Sequence, residues 1–508
     1  RVPLSLFPEA PARPHRHHRR PARPHRPARP HRHHRRPARP HRPARPHRLL
    51  RLLPVPVLLL FHLALALPRQ WRMETGGFDL GIFEEAVRGY AHLEPPVVAL
   101  KGTGFVLLGD HFSPALAVLA PLYRLRPAPE TLLVEQSALL ALSAVPVTAL
   151  AAEWFGPGRG LLLGLAYGTS WELCGASLFD VHEVALAVPL LSGAVVALAR
   201  GRWQAAVGWG LPLLLVKEDQ GLLLAGIGGC VLLLGRRRAL GLATVGAAVA
   251  GTLLAVLVLI PAAHPTGAYA YGNWGGAADG NPLARLLLPS GKWVTVGALL
   301  APTLLLALRS PLVLLAVLPL AARFWAPVPA YWGTALHYNA VLAPVLFVAA
   351  LDGLRRLGRA RWARRPGWAR CTGWLPGAMC AIALLAAPLP DLSGPGPDVL
   401  TARRVLAAVP DGARVAASNP LAPQLTSRCT VSLFPYLGYP AGTGSAGLSP
   451  DDLSPDFHPV AEWVASVDSP GDFPVPRERQ LAVLAALPAA GYRPVARGGG
   501  VTVWRWRP

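Results

Sequence analysis

"LLLVKEDQGLLL", residues 213–224, sets Lys217, Glu218, Asp219 and Gln220 in the middle of an almost unbroken apolar run from Trp203 to Leu234. As one helix, that run carries three charges at its centre. As a turn, it divides into two short antiparallel arms, and the choice fixes the topology of everything downstream. The surrounding chain of 508 residues is 52% hydrophobic and 15% charged, whereas ordinary soluble proteins carry about 25% charge. Several apolar stretches reach the roughly 15–23 residues that span a bilayer as a helix. The chain therefore reads as mainly α, a polytopic membrane protein.

Apolar segments fall at about 48–66, 130–152, 160–178, 184–199, 203–216, 221–234, 239–260, 293–308, 311–325, 338–354 and 371–389, giving about eleven spans. Short loops rich in Lys and Arg stay cytoplasmic. The basic loops are the N-terminal tail, "RGR" at 200–202, "RRR" at 236–238 and "RRLGRARWARRPGWAR" at 355–370. They share one side only if 203–234 turns at the quartet. Each arm of about 14 residues is then about 21 Å long, short of a hydrocarbon core of about 30 Å, so the turn is expected below the outer surface in a protein-lined cavity. Charges at that depth point to function. The threading puts the N-terminus inside the cytoplasm. Outside it puts a large loop at 67–129, "FDVHE" at 179–183, the loop 261–292 and "YWGTALHYN" at 331–339. Six of the seven His beyond the tail (92, 111, 182, 264, 337 and 458) fall on that outer side, and His62 lies within a helix.

The net charge of +23 suggests nucleic acid until its distribution is considered. Residues 11–26 are repeated letter for letter at 27–42, and residues 1–48 hold fifteen Arg against one acid, Glu9. A Pro/Arg/His repeat with few apolar residues cannot build a core, so 1–48 reads as a disordered cytoplasmic tail touching anionic membrane lipid or nothing, with no specific nucleic acid. The five Cys (174, 230, 371, 380 and 429) form no CxxC pair, which excludes a disulfide framework and a zinc site. The first apolar segment lacks a small-residue cleavage motif and runs into Arg69 and Trp71, so it reads as a signal anchor. After about residue 390, short strands and helices between Gly/Pro/Asp turns indicate a small soluble α/β domain at 390–508, outside the cytoplasm, following a transmembrane domain at 49–389.

Several polar groups stand out against this apolar ground. In "GGFDLGIFEEAVRGY" (76–90), Leu80, Ile82, Phe83, Ala86, Val87 and Tyr90 share one helical arc, and Glu84, Glu85 and Arg88 the opposite one. Asp79 falls in the apolar arc, either as an N-cap or as a carboxylate aimed into a cavity as general base. Asp110 and His111 precede a second short amphipathic stretch, again as capping residues or as site groups. Asp180, His182 and Glu183 form the kind of cluster that binds a divalent cation. Lys217 is either self-neutralised by Glu218 and Asp219 or holds a phosphate with one of those carboxylates orienting it. "AYAYGNWGG" (268–276), with Tyr271, and "YWGTALHYN", with Tyr331, Trp332, His337, Tyr338 and Asn339, offer rings and amides for a sugar, or interfacial anchors. No P-loop, GxSxG, HExxH or Rossmann fingerprint has a supporting context, which argues against cytoplasmic nucleotide chemistry.

The ordered series "FDLGIFEEAV", "GDHFSPALAVLAPLYRL", "LFDVHEVALAVPLL", "LLVKEDQGLLLAG", "YAYGNWG" and "YWGTALHYNAVLAPVLFVAALDGLRRL" resembles the bacterial membrane-protein family called domain of unknown function 2079, over most of about 70–440. That family is grouped by distant similarity with the C-type (GT-C) membrane glycosyltransferases. The resemblance implies a GT-C-like core in the bacterial cytoplasmic membrane and a sugar taken from a polyprenyl-phosphate donor on the non-cytoplasmic side. It also implies an acidic residue at the start of the first interfacial helix, which looks like Asp79, and a His-x-x-Pro-like stretch similar to His111–Pro114. Where many relatives carry paired Asp-Glu, this chain has Asp79–Leu80.

Together these readings predict a membrane glycosyltransferase with a lipid-linked sugar and a cell-envelope glycan, lipid or protein acceptor as partners. Asp79 is the expected base and Asp110 its understudy. Lys217, His111 and His337 are expected to hold the phosphate, and Glu218 or Asp219 to position Lys217. A transporter or flippase, with the quartet as a broken-helix binding site, is the rival from another class, and a non-catalytic membrane protein is the third option.

Overall fold

The computed structural model describes residues 51–271, 281–359, 373–437 and 459–507. The chain divides into two compact units, 1–44 and 45–508. The first unit, with the whole repeat tail, lies outside the described residues, as do Cys371, His458, most of the basic loop at 355–370 and the "GNWGG" part of 268–276. The second unit is a helical bundle followed by a five-stranded sheet.

Helix α1 (Pro54–Trp71) opens with prolines in its first turn, where a missing N–H costs nothing. A π turn (Gly77–Gly81) leads into α2 (Ile82–Ala91). The bundle continues with α3 (Pro129–Phe155), α4 (Pro157–Gly168), α5 (Trp171–Ser177) and α6 (Val184–Ala199). Among the described residues three helices are long and apolar enough to cross a membrane: Pro129–Phe155, Arg238–Ala263 and Pro329–Arg359. The most apolar window of the last is 78% buried and that of Arg238–Ala263 only 22%, so one is the bundle's axis and the other lies on its periphery. Leu140, Leu150, Leu191, Val195, Val348 and Leu351 are fully buried and fill the centre.

The Trp203–Leu234 run is a hairpin. Helix α7 (Trp203–Gly210) tightens into a 3-10 turn at Leu211–Leu215, where Pro212 removes a backbone donor. The chain is extended at Lys217 (φ −164), and α8 (Gly221–Leu233) runs back after a second short turn at Glu218–Gln220. The glycines report the antiparallel approach. A Cβ on Gly210 would meet Ile227 at 2.9 Å, and one on Gly235 would meet the Trp203 ring at 2.7 Å. Arg236, in the left-handed region (φ 54), turns the chain into α9 (Arg238–Ala263).

The C-terminal part holds β1 (Arg414–Ala417), β2 (Thr430–Leu433), β3 (Trp463–Val467), β4 (Tyr492–Gly498) and β5 (Val501–Trp506), in the order β2-β1-β3-β5-β4. Strand β1 runs parallel to β2 and β3, with Val415 opposite Val431 and Trp463. The β4–β5 hairpin turns on Gly499 and Gly500, both at positive φ, as a two-residue turn needs.

This sheet packs on the loop that carries Asp79. Gly77 N donates to Asn419 O and Phe78 N to Asn419 Oδ1, each at 2.8 Å. A Cβ on Gly77 would lie 2.4 Å from the Ala422 Cβ, so only glycine permits the approach. Glu84 and Glu85, which the helical periodicity turns toward solvent, are buried here instead. Glu84 accepts from the Tyr123 hydroxyl at 3.0 Å and from the Thr426 hydroxyl. Glu85 accepts from Leu100 N at 3.1 Å and Val431 N at 3.2 Å. Arg88 Nη1 donates to the carbonyls of Thr426 (2.5 Å) and Cys429 (2.7 Å). The polar arc of α2 is an interface with the sheet: a helical wheel gives direction without saying what covers it.

Candidate functional site

A cavity of ≈ 390 Å³ opens between the α2 loop, the α5–α6 turn, the hairpin apex and the 328–341 segment. Of the residues singled out above, Asp79, Asp110, His111, His182, Glu183, Lys217, Glu218, Asp219, Tyr271, Tyr331, His337 and Tyr338 line it. Trp332 and Asn339 do not. Trp332 is buried with its ring 5.5 Å from the Lys292 ammonium, and Asn339 sits behind the wall, its Nδ2 donating to Gly333 O at 2.9 Å. Both prop the wall, because in each case the polar or ring surface is already used within the fold.

Several elements supply the charges, and most of the ion pairs join residues far apart in the chain. Lys217 Nζ lies 2.7 Å from Glu183 Oε1. The carboxylate that holds Lys217 is thus Glu183 at the start of α6, and neither Glu218 nor Asp219 has that role: the turn points Glu218 away toward His111. Glu218 Oε1 lies 2.7 Å from His111 Nδ1 and accepts from the Tyr269 hydroxyl at 3.2 Å, while Oε2 accepts from Phe112 N at 3.1 Å. Asp219 accepts from Gln220 Nε2 at 2.8 Å. Asp110 is bound by Lys101 Nζ at 2.5 Å and by the Tyr271 hydroxyl at 3.0 Å. Burial works against its ionisation, yet the ammonium of Lys101, His111 and the two hydrogen bonds outweigh it and hold Asp110 at about 2.

Asp79 sits in the π turn, its side chain 22% exposed, with Oδ1 3.3 Å from His182 Nε2. The His182 ring stacks on His337 with centroids 3.5 Å apart, and Phe179 stacks on both. Asp180, at φ 37 in the same turn, accepts from Gly76 N at 2.7 Å and so ties the α5–α6 turn to the Asp79 loop. Buried Nδ1 atoms of His182 and His337 and Oε2 of Glu183 have no hydrogen-bond partner among the described residues.

Three cavity residues lie outside the sequence reading. Lys101 spans the mouth above Phe78 (5.5 Å) and Phe105 (5.7 Å). Phe473, from the sheet domain, packs edge-on against Phe78 and lines the opening. Arg323 donates through Nη1 to Tyr338 O (2.7 Å) and Asn339 Oδ1 (3.2 Å), while its Nε and Nη2 are buried without a partner. A buried guanidinium with two unused donor atoms is costly unless an anion meets it. Its signal was a lone cation near the end of the apolar run 311–325. No group of three or more His, Cys, Asp or Glu among the described residues is arranged to hold a metal ion.

A family profile described as "Predicted membrane protein (DUF2079)" matches residues 69–441. No curated protein matches the chain. Among solved structures, apo ArnT from Cupriavidus metallidurans superposes with a TM-score of 0.52 at 13% identity, covering 90% of this chain and 97% of its own. The same protein bound to undecaprenyl phosphate gives 0.50 at 14% identity with the same coverage. At that identity the likeness shows the fold alone, shared with the ArnT structures.

Proposed function

Because the chain belongs to the DUF2079 family of predicted membrane proteins and has a GT-C-like fold, we propose that it transfers a sugar from a polyprenyl-phosphate donor to an acceptor outside the cytoplasm. One observation carries the reading: a single cavity holds the carboxylate of Asp79, paired only with His182 among the described residues, together with Arg323, two of whose nitrogens lack partners. The fold is shared with a protein whose structure contains undecaprenyl phosphate, which supports a lipid phosphate as the anion.

In this reading the acceptor hydroxyl oxygen attacks the anomeric carbon. The bond from that carbon to the phosphate oxygen breaks, and its electron pair leaves with the polyprenyl phosphate. Asp79 takes the hydroxyl proton, with His182 holding its carboxylate in place. Asp110 is the poorer base, since Lys101 and Tyr271 already stabilise its ionised form. Arg323 meets the phosphate with its free fork, Lys217 adds positive charge held in position by Glu183, and the His111 ring, held by Glu218, lies beside it. Tyr269, Tyr271, Tyr331 and Tyr338 offer rings and hydroxyls to the sugar.

Binding is the direct test. Purified full-length protein offered undecaprenyl phosphate should retain it in native mass spectrometry. Arg323→Gln should weaken retention by about tenfold or more, and Asp79→Asn should leave it intact. Retention unaffected by Arg323→Gln would remove Arg323 as the phosphate partner.

A further inference from the structure

The end of the hairpin away from the cavity carries a second concavity that sugar transfer does not use. Arg202 precedes α7, and Arg236, Arg237 and Arg238 join α8 to α9. These four line a groove of ≈ 700 Å³ together with Trp203 and Gln204, and no acid among the described residues lines it. All four arginines are exposed. The nearby ion pairs, Arg200 with Glu153 and Arg356 with Asp352, do not involve them. Four guanidinium groups gathered without a counter-charge repel one another and attract an anion, and a phosphate matches their forked donors.

A second observation says what kind of anion. Helix α9 begins at the groove and is the least buried of the three long helices, at 22% of its apolar window. Leu242, Val249, Leu253 and Leu257 are 60%, 50%, 49% and 66% exposed, and their spacing puts them on one face. Leu233 and Leu234, also exposed, flank the groove from the end of α8. A soluble polyanion would use the arginines and leave this stripe unexplained. An amphiphile uses both. Thr252 on the same helix donates to Glu218 O at the hairpin apex, and fourteen residues separate Arg238 from it, so the groove lies about 21 Å along the helix from the cavity.

We infer that this groove binds the headgroup of an anionic phospholipid, with its acyl chains along the exposed face of α9. The site is distinct from the cavity and does not depend on the proposed transfer reaction.

The experiment is native mass spectrometry of delipidated full-length protein given equal phosphatidylglycerol and phosphatidylcholine. The wild type should retain phosphatidylglycerol with a preference of about tenfold or more. Replacing Arg202, Arg236, Arg237 and Arg238 together by Gln should abolish that preference, whereas Arg355→Gln, stacked on Trp154 outside the groove, should not. In case the quadruple variant misfolds, the wild type is also measured between ~0.1 and ~0.5 M NaCl, where an electrostatic headgroup site loses its preference. No preference in the wild type, a preference that persists in a monodisperse quadruple variant, or one indifferent to salt would each overturn the inference. So would full displacement of the lipid by equimolar glycerol phosphate, because the apolar stripe would then contribute nothing.

Discussion

Two polar regions of the molecule, the cavity and the junction between α2 and the sheet, handle their charges in opposite ways. Around the cavity, carboxylates meet basic side chains: Glu183 with the Lys217 ammonium, Asp110 with that of Lys101, Glu218 with the His111 ring and Asp79 with the His182 ring. At the junction between α2 and the sheet, Glu84 and Glu85 are as deeply buried yet are met by hydroxyls and backbone N–H groups. Burial pushes Glu84 up to about 8 and Glu85 up to about 7, despite those hydrogen bonds. The cavity keeps charge, as a site for a charged ligand must. The junction keeps protons, as a seam that anchors the site must.

The comparison breaks first at Asp79. Asp79→Asn should lower sugar transfer by about 10²–10⁴-fold with unchanged thermal unfolding, while Asp110→Asn should cost far less in rate. Equal losses would erase the distinction drawn between the two carboxylates. Next is the buried pair. Glu183→Gln strands the Lys217 ammonium and should destabilise the protein by about 3–5 kcal/mol in an unfolding assay, more than any single junction variant. At the seam, Gly77→Ala drives a Cβ into Ala422 and Thr426→Val removes a donor to Glu84. Each should cost about 1–3 kcal/mol and raise protease cleavage between the bundle and the sheet.

The pH dependence of the seam tests the same two glutamates. Below about pH 4.5 both glutamates are protonated folded or unfolded, so their contribution is complete. As pH rises toward about 8 the unfolded chain ionises first, and stability is lost progressively through that window. The double variant Glu84→Gln/Glu85→Gln should flatten that slope in thermal unfolding measured against pH. A slope that survives the double variant would assign it to other groups.

The hairpin was legible because a few Lys and Arg decide which loops share a side, and the glycine contacts at 210 and 235 agree with it. The residues that gather at the cavity were legible too, since a chain this apolar has few places to put Asp79, His182 or Lys217. Their pairing was not. Lys217 finds Glu183 across two helices, and Glu84 finds Thr426 across 342 residues, distances over which periodicity is silent. Arg323 escaped notice because one cation at the end of an apolar run reads equally well as a snorkelling anchor. Trp332 and Asn339 were drawn into the site by composition alone, which cannot tell a cavity wall from what stands behind it.

The central claim is that this cavity consumes a lipid-linked sugar through Asp79 and Arg323. The direct measurement is the pool of lipid-linked sugars and envelope glycans in a strain lacking the gene and complemented with wild type, Asp79→Asn or Arg323→Gln at matched expression. The deletion should accumulate one polyprenyl-phosphate sugar and lose one glycan modification, and only the wild type should restore both. Restoration by Asp79→Asn would contradict the claim.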